Sequence, residues 1–410
     1  MTEALKDSKV EWLGKIPEDW KVERIGTLYS PRNTKVSDED YPPLSVTMQG
    51  ILPQLDTVAK TDDHGNRKLV KKGDFTINSR SDRRGSCGIS DYDGSVSLIN
   101  TVLKPNAKMN PIYYNWLFHT SLFADEFYKW GHGIVDDLWT TNWQDMKNIS
   151  VTIPPLEEQE KIADFLDEKC AEIDKLSEDI QKQIDILNNY KKSVITRAVT
   201  KGLNPNAEMK DSGDPRIGTI PKDWDIKKLK FVTREYYQNG LMDPNNDSYL
   251  GMENVLGYSN NYYETDTEYE PSIQKRCKKD TILFGKLRPY LAKVIICPFD
   301  GFSTGEFMQL FGFAGDKRYL RYSLLNESFI EAVNMSTYGA KMPRANSDFI
   351  SNLNICIPQK DIQSDIADYL DAKCEEIDNS IKDKGIQLDN LASYKKSIIY
   401  EYVTGKKRVA

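Results

Sequence analysis

Apolar residues recur every seven positions in two long stretches. In the first, Leu166, Ile173, Ile180, Leu187 and Val194 form one line, and Cys170, Ser177, Ile184 and Ala198 supply most of a companion line. In the second, Leu370, Ile377, Leu391 and Ile398 are joined by Cys374, Ile381 and Leu388. A heptad sustained this long predicts a helix whose apolar stripe must bury against another helix. About 40 residues at 1.5 Å each make a rod on the order of 60 Å. That is too long for a body of about 140 residues to cover, so intramolecular antiparallel pairing is expected over each helix lying on its own body. Two defects mark the second stretch. Lys384 takes the slot equivalent to Ile180, and Gly385 costs a helix interior roughly 1 kcal/mol relative to Ala. Ile381 faces the slot held by Ser177, so the two blocks read as complementary partners.

The two stretches belong to a duplication. Residues 153–200 recur at 357–404, with Ile162 matching Ile366 and Tyr190 matching Tyr394, both 204 residues apart. Ile16–Trp20 and Ile220–Trp224 share that spacing. A repeat of this period sets the architecture before any local reading does. Each half holds an aromatic-rich body, about 12–155 and 216–358, with short β-like runs at Tyr41–Val46, Asp74–Asn78, Thr281–Phe284 and Val294–Ile296. The bodies align weakly, Leu44 with Leu250, Asp74 with Asp280 and Tyr113 with Tyr319, now 206 apart. Gly202–Gly218 reads as a linker by composition. The expected division is 1–155 body, 156–203 helical spacer, 204–215 linker, 216–358 body and 359–410 helical spacer. The fold class is α+β.

Composition adds limits. The 410 residues are 39% hydrophobic and 29% charged, which suits two or three ordinary cores. No apolar run reaches membrane-spanning length, and the polar start is not a secretory signal. Six scattered cysteines and three histidines lack zinc-ligand spacing, so no metal is expected and the thiols read as reduced, in the cytoplasm. The net charge of −7 argues weakly against nucleic acid. The excess acid lies partly in the helices, however. Residues 156–203 hold eight Lys/Arg against eleven Asp/Glu, while 216–358 hold eighteen against seventeen.

Catalytic motifs are near misses. Asn110-Pro111-Ile112-Tyr113 resembles a methyltransferase turn but reads better as a capped helix start. Phe311–Gly315 lacks the spacing and setting of a cofactor loop, and no phosphate-binding Gly-rich loop is present. No cofactor is indicated, and the chain alone is not expected to be an enzyme.

The duplicated marks, taken in order, resemble the specificity (S) subunit of type I restriction–modification systems. They are the Ile-Pro-x-x-Trp openings, the Tyr249–Asn254 run, the helix start at Ile153–Ile162, and the paired Tyr190–Ser193 and Tyr394–Ser397 segments. The second helix start departs from the pattern, because Ile357–Lys360 lacks the second proline and the paired glutamates. The resemblance implies two target recognition domains, each reading half of a split double-stranded DNA site. It implies long helices that set the spacing and dock two modification (M) subunits. Methylation would belong to M, and ATP-driven cleavage to restriction (R) subunits. The competing expectation is a coiled-coil scaffold with two protein-binding modules and no DNA role.

DNA contact is expected from basic loops with polar readers. Arg67, Lys68, Lys71, Lys72, Arg80, Arg83 and Arg84 crowd one stretch, with Asn78 opening its loop. Lys286, Arg288, Tyr290 and Lys293 are the aligned set. A second pair is Gly131–Asn142 with Tyr338–Asn346, which offers Lys341, Arg344 and Asn346. A third is Thr47–Gln49 with Glu253 and Asn254. Tyr190–Lys192 and Tyr394–Lys396 are expected either to bind M or to cap helix ends.

Overall fold

Both heptad stretches are helices, Leu156–Lys201 and Lys360–Val403. A computed structural model describes residues 4–54, 65–106, 109–133, 139–265, 269–339 and 341–409. It divides into two units, 1–179 with 386–410, and 180–385. The division falls inside each long helix and not at the junction between body and helix.

Within each unit, half of one long helix runs antiparallel to half of the other. In the first unit Asp174 meets Lys395 at 2.6 Å. In the second, Lys191 meets Asp378 at 2.7 Å, and Lys384 donates to Gln183. These contacts pair rising numbers with falling ones, as an antiparallel coiled coil requires. Leu166, Cys170, Ile173 and Ile398 are buried in the first core, with Leu391 packed at its edge. Leu370 and Cys374 are buried in the second core, with Val194 at its edge. Ile180 and Ile377 are buried, and Leu187 and Leu388 are half-buried. The seam therefore packs on helix and body together.

The two bodies share a topology. In the first, a four-stranded sheet runs Cys87–Ile89, Phe75–Asn78, Asn100–Pro105, Tyr29–Pro31. In the second, the order Val294–Ile296, Ile282–Gly285, Phe307–Phe311, Arg234–Glu235 repeats it. A smaller sheet also recurs. Pro43 bridges Ser95 in parallel, and Tyr249 pairs in parallel with Phe302, which agrees with the Leu44–Leu250 alignment. Two helices pack on each main sheet: Pro111–Phe118 and Ser121–Lys129, then Lys317–Leu324 and Glu327–Met335. Asn110 caps the first of these, accepting from the backbone N–H groups of Ile112 and Tyr113, and Asp316 caps its counterpart. Aromatic rings fill the first core, with Phe75, Phe118 and Phe123 in an edge-tilted chain at 4.9 and 4.5 Å between centroids.

Three repeat-equivalent devices join body to helix. Gln159 donates to Pro154 O and accepts from Asn110 N, and Gln363 does the same with Pro358 O and Asp316 N. This polar clamp starts the second helix despite its altered sequence. Tyr113 donates to Val403 O, and Tyr319 lies against Val199 O. Finally, Gly405 and Gly202 sit at positive φ just past the helix ends. A Cβ on Gly405 would lie 2.3 Å from Pro17 and 3.1 Å from Trp20, and one on Gly202 would lie 3.1 Å from Trp224.

Two expectations change. Gly202–Gly218 is not bare linker. Met209–Asp211 pairs with Thr219–Pro221, in the same register as Leu5–Asp7 with Lys15–Pro17. The Tyr190–Ser193 and Tyr394–Ser397 segments are not helix ends, because each helix continues beyond them and Lys191 and Lys395 lie in the pairing seam.

Candidate nucleic-acid interface

The structure brings the first and second loop pairs together. In the first unit, Arg80 and His132 both form backbone bridges with Thr140. In the second, Leu287 and Tyr338 both bridge Arg344. The loop following one sheet strand is thus stitched to the segment preceding the body's last short helix, in the same way in both bodies. Part of Gly131–Asn142 (134–138) lies outside the described residues.

In the first unit, Phe75–Asn78 leads into a 3-10 turn at Ser81–Arg83. Asn78 Oδ1 accepts from Arg80 N and shapes the turn. Asp82 faces both Arg80 (3.3 Å) and Arg83 (3.7 Å). Arg84 pairs with Asp125 at 2.9 Å and lies over the Tyr128 ring at 5.4 Å. An open cleft of about 500 Å³ is lined by Thr47, Met48, Asn78, Arg83 and Arg84 among others. The third candidate segment therefore adjoins the first in this unit. Gln49 is exposed on the hairpin turn between Leu44–Thr47 and Gly50–Pro53.

Four basic residues expected at this surface have other surroundings. Arg67 is buried and donates to Ser95 Oγ and O, and burial holds its guanidinium below the ordinary value. Lys68 donates to Asn100 O, and Lys71 pairs with Asp93 at 2.7 Å. Lys72 donates its backbone N–H to Asp93. The Arg67 and Lys68 side chains are spent on the fold and Lys71 is held in a surface ion pair, while Arg80, Arg83 and Arg84 stand at the loop.

In the second unit, Gly285–Lys293 carries Arg288 and Ala292 at φ of 49° and 48°, around a 3-10 turn at Pro289–Leu291. Left-handed backbone at two non-glycine residues is costly and persists where the surroundings fix it. Here Arg288 N donates to Pro343 O and Ala292 N to Pro289 O. Arg288 and Tyr290 are exposed. Lys286 is half-buried, and burial, then the charge of Lys275, push its pKa below the ordinary value. Lys275 is buried with its Nζ over the Tyr237 ring at 4.3 Å, and burial lowers its pKa too. Desolvated cations in mutual repulsion favour an incoming anion. Arg344 pairs with Glu306, and Lys341 is exposed.

Other candidates serve the fold. Asn254 is buried, accepting from Gly251 N and donating to Tyr263 O, which leaves it no edge for a base. Glu253 accepts from the Tyr269 hydroxyl. Lys293 donates to Met252 O, and Asn346 caps the helix Ser347–Ser351. Sequence reasoning named Asp82 as a counterweight in this stretch but missed Glu306 and Asp125, which brace Arg344 and Arg84. Asp125 and Glu306 lie 41 and 38 residues from the arginines they meet, so no local signal marked them. All six cysteines are buried and free, and among the described residues no cluster of His, Cys, Asp or Glu is suited to hold a metal. No described helix is long and apolar enough to cross a membrane.

Residues 17–186 and 221–385 match the type I restriction modification DNA specificity domain. The chain belongs to this family, which it carries twice. It is 26% identical over 431 residues to the type I restriction enzyme MjaVIII specificity subunit of Methanocaldococcus jannaschii, covering 96% of this chain and 94% of the relative. It is 21% identical over 421 residues to the EcoDI specificity subunit of Escherichia coli, covering 92% and 87%. Among solved structures, a chain from work on complex assembly and conformational transition of the type I R-M system superposes with a TM-score of 0.72 at 13% identity, covering 96% and 99%. The HsdS subunit from Thermoanaerobacter tengcongensis gives 0.52 at 15% identity, covering 96% and 98%.

Proposed function

We propose that this chain supplies DNA sequence specificity to a type I restriction–modification complex, each body reading one half of a bipartite, asymmetric site. The observation that carries this reading is the pair of stitched loops, built alike and furnished differently. Arg80 stands opposite Thr140 in one body, and Leu287 opposite Arg344 in the other. Equal scaffolds with unequal side chains read unequal half-sites, whereas a symmetric dimer reads a palindrome. The long helices set the unread spacer and dock two modification subunits on their repeated faces. Adenine methylation and ATP-dependent cleavage reside in the M and R partners, and the chain itself is non-catalytic, cofactor-free and cytoplasmic.

The test is expression with an M subunit, followed by mapping of methylated adenines. A two-part sequence with a fixed gap is expected, and methylation without sequence preference would falsify the assignment. Replacing Arg80, Arg83 and Arg84 together with Ala is expected to relax one half-site and leave the other intact. Loss of preference in both halves would contradict two independent readers.

A further inference from the structure

The basic residues of the second unit's stitched loops fall into two electrostatic kinds. Arg344 is locked in place. Its backbone exchanges hydrogen bonds with Tyr338 at 3.1 and 3.2 Å, and the next residue, Ala345, donates to Lys286 O at 3.0 Å. Its guanidinium pairs with Glu306, whose second carboxylate oxygen is buried without a partner. The Arg344 side chain nonetheless remains 47% exposed. A guanidinium has five donors in a planar fork, so a brace on one edge leaves another edge to donate. With its charge offset by Glu306, Arg344 gains little from a phosphate. Its donor geometry still matches O6 and N7 of guanine. Arg288 is the opposite case. It is exposed, held in the left-handed region, and has no ion pair among the described residues.

We propose that Arg344, braced by Glu306, reads a guanine in the half-site met by the second unit, while Arg288 contacts a phosphate there. This rests on the DNA-reading function proposed above. The first unit places the equivalent fork on the other side of its bridge, at Arg80 beside Asp82, with Thr140 in the Arg344 position. The two half-sites therefore meet their arginines from different sides.

The experiment uses the chain in complex with M subunits. The site is mapped first, and the Arg80/Arg83/Arg84 replacement identifies which half belongs to the second unit. Binding of Arg344→Ala, Arg344→Lys, Arg288→Ala and Glu306→Gln complexes is then measured. The probes are duplexes carrying that site and duplexes with each G·C pair of the half-site replaced, over a range of salt. Arg344→Ala and Arg344→Lys are expected to lose roughly tenfold to a hundredfold discrimination at one G·C pair, with the other half-site unchanged. Arg344→Ala should keep the salt slope. Arg288→Ala should weaken all sequences alike and flatten the log–log slope by about one. Glu306→Gln should steepen that slope, because an uncompensated Arg344 then engages phosphate. Arg344→Lys keeps a cation for Glu306 and decides the matter if the Ala variant misfolds. A half-site without a G·C pair, full discrimination retained by Arg344→Lys, or an Arg344→Ala complex that loses salt slope and keeps its discrimination each overturns the proposal. A wild-type complex with no sequence preference would instead remove the DNA-reading function on which it rests.

Discussion

Trp20→Ala is expected to destabilise the first unit by about 3–5 kcal/mol, the range for emptying a buried indole site. The residue is fully buried, and its Nε1 donates to Glu158 Oε2 at 2.8 Å. Its ring meets Tyr113 edge-on, with centroids 6.4 Å apart at 81°. Gly405 approaches the ring from the end of the last helix. One side chain thus ties together the body, the start of one long helix and the end of the other. The C-terminal segment reinforces the tie, since Lys406 donates to Leu13 O and Arg408 Nε lies 3.2 Å from Glu158 Oε1. Trp224 occupies the equivalent place in the second unit, where Gly202 approaches its ring. Calorimetry of Trp20→Ala should therefore show a new low-temperature transition, with the transition of the second unit near its original place. A single transition shifted as a whole would mean that the units unfold as one.

The places where sequence and structure agree share a physical cause. The heptads were legible because burial on one helical face repeats with the helix period, and the cap at Asn110 because its chemistry is local. Leu5–Asp7 and Met209–Asp211 were not legible. They are three-residue, fully exposed strands, held by backbone pairing without an apolar alternation to announce them. Arg67 and Asn254 misled for a related reason. A basic or amide side chain carries no sequence mark of burial, and only the fold shows Ser95 closing on one and Gly251 on the other. Gln159 and Gln363 hid likewise, as ordinary polar residues in an acidic helix start. At the interface, the two basic loops were readable from their charge. Their joining by Thr140 and Arg344 was not, because it depends on backbone bridges between segments more than 50 residues apart.

Lys191 and Lys395 show how the helices fix their register, and they carry the second large effect. Both fall on the heptad line through Ile184 and Leu388, where an apolar residue is expected. Each pairs with an aspartate of the opposing helix half in its own unit. A lysine in such a seam costs stability but favours the one alignment that supplies its partner. Although the pairs are repeat-equivalent, their surroundings differ. The Lys191 side chain is 6% exposed and that of Lys395 28% exposed. Removing the acid should therefore cost unequal amounts. Asp378→Asn strands a buried ammonium, and breaking such a pair costs about 3 kcal/mol or more. Asp174→Asn leaves Lys395 able to turn toward water, at a cost below about 1 kcal/mol. Urea unfolding of the two variants should separate them by at least about 2 kcal/mol. Replacing both lysines with Leu should hold or raise stability, since apolar substitutes for buried pairs often gain about 1–4 kcal/mol. The register would then rest on Lys384 with Gln183 alone among these seam contacts. Cysteine cross-links placed across the seam would report the change as pairing in shifted registers. Equal losses for Asp378→Asn and Asp174→Asn would show that burial of Lys191 does not set the scale.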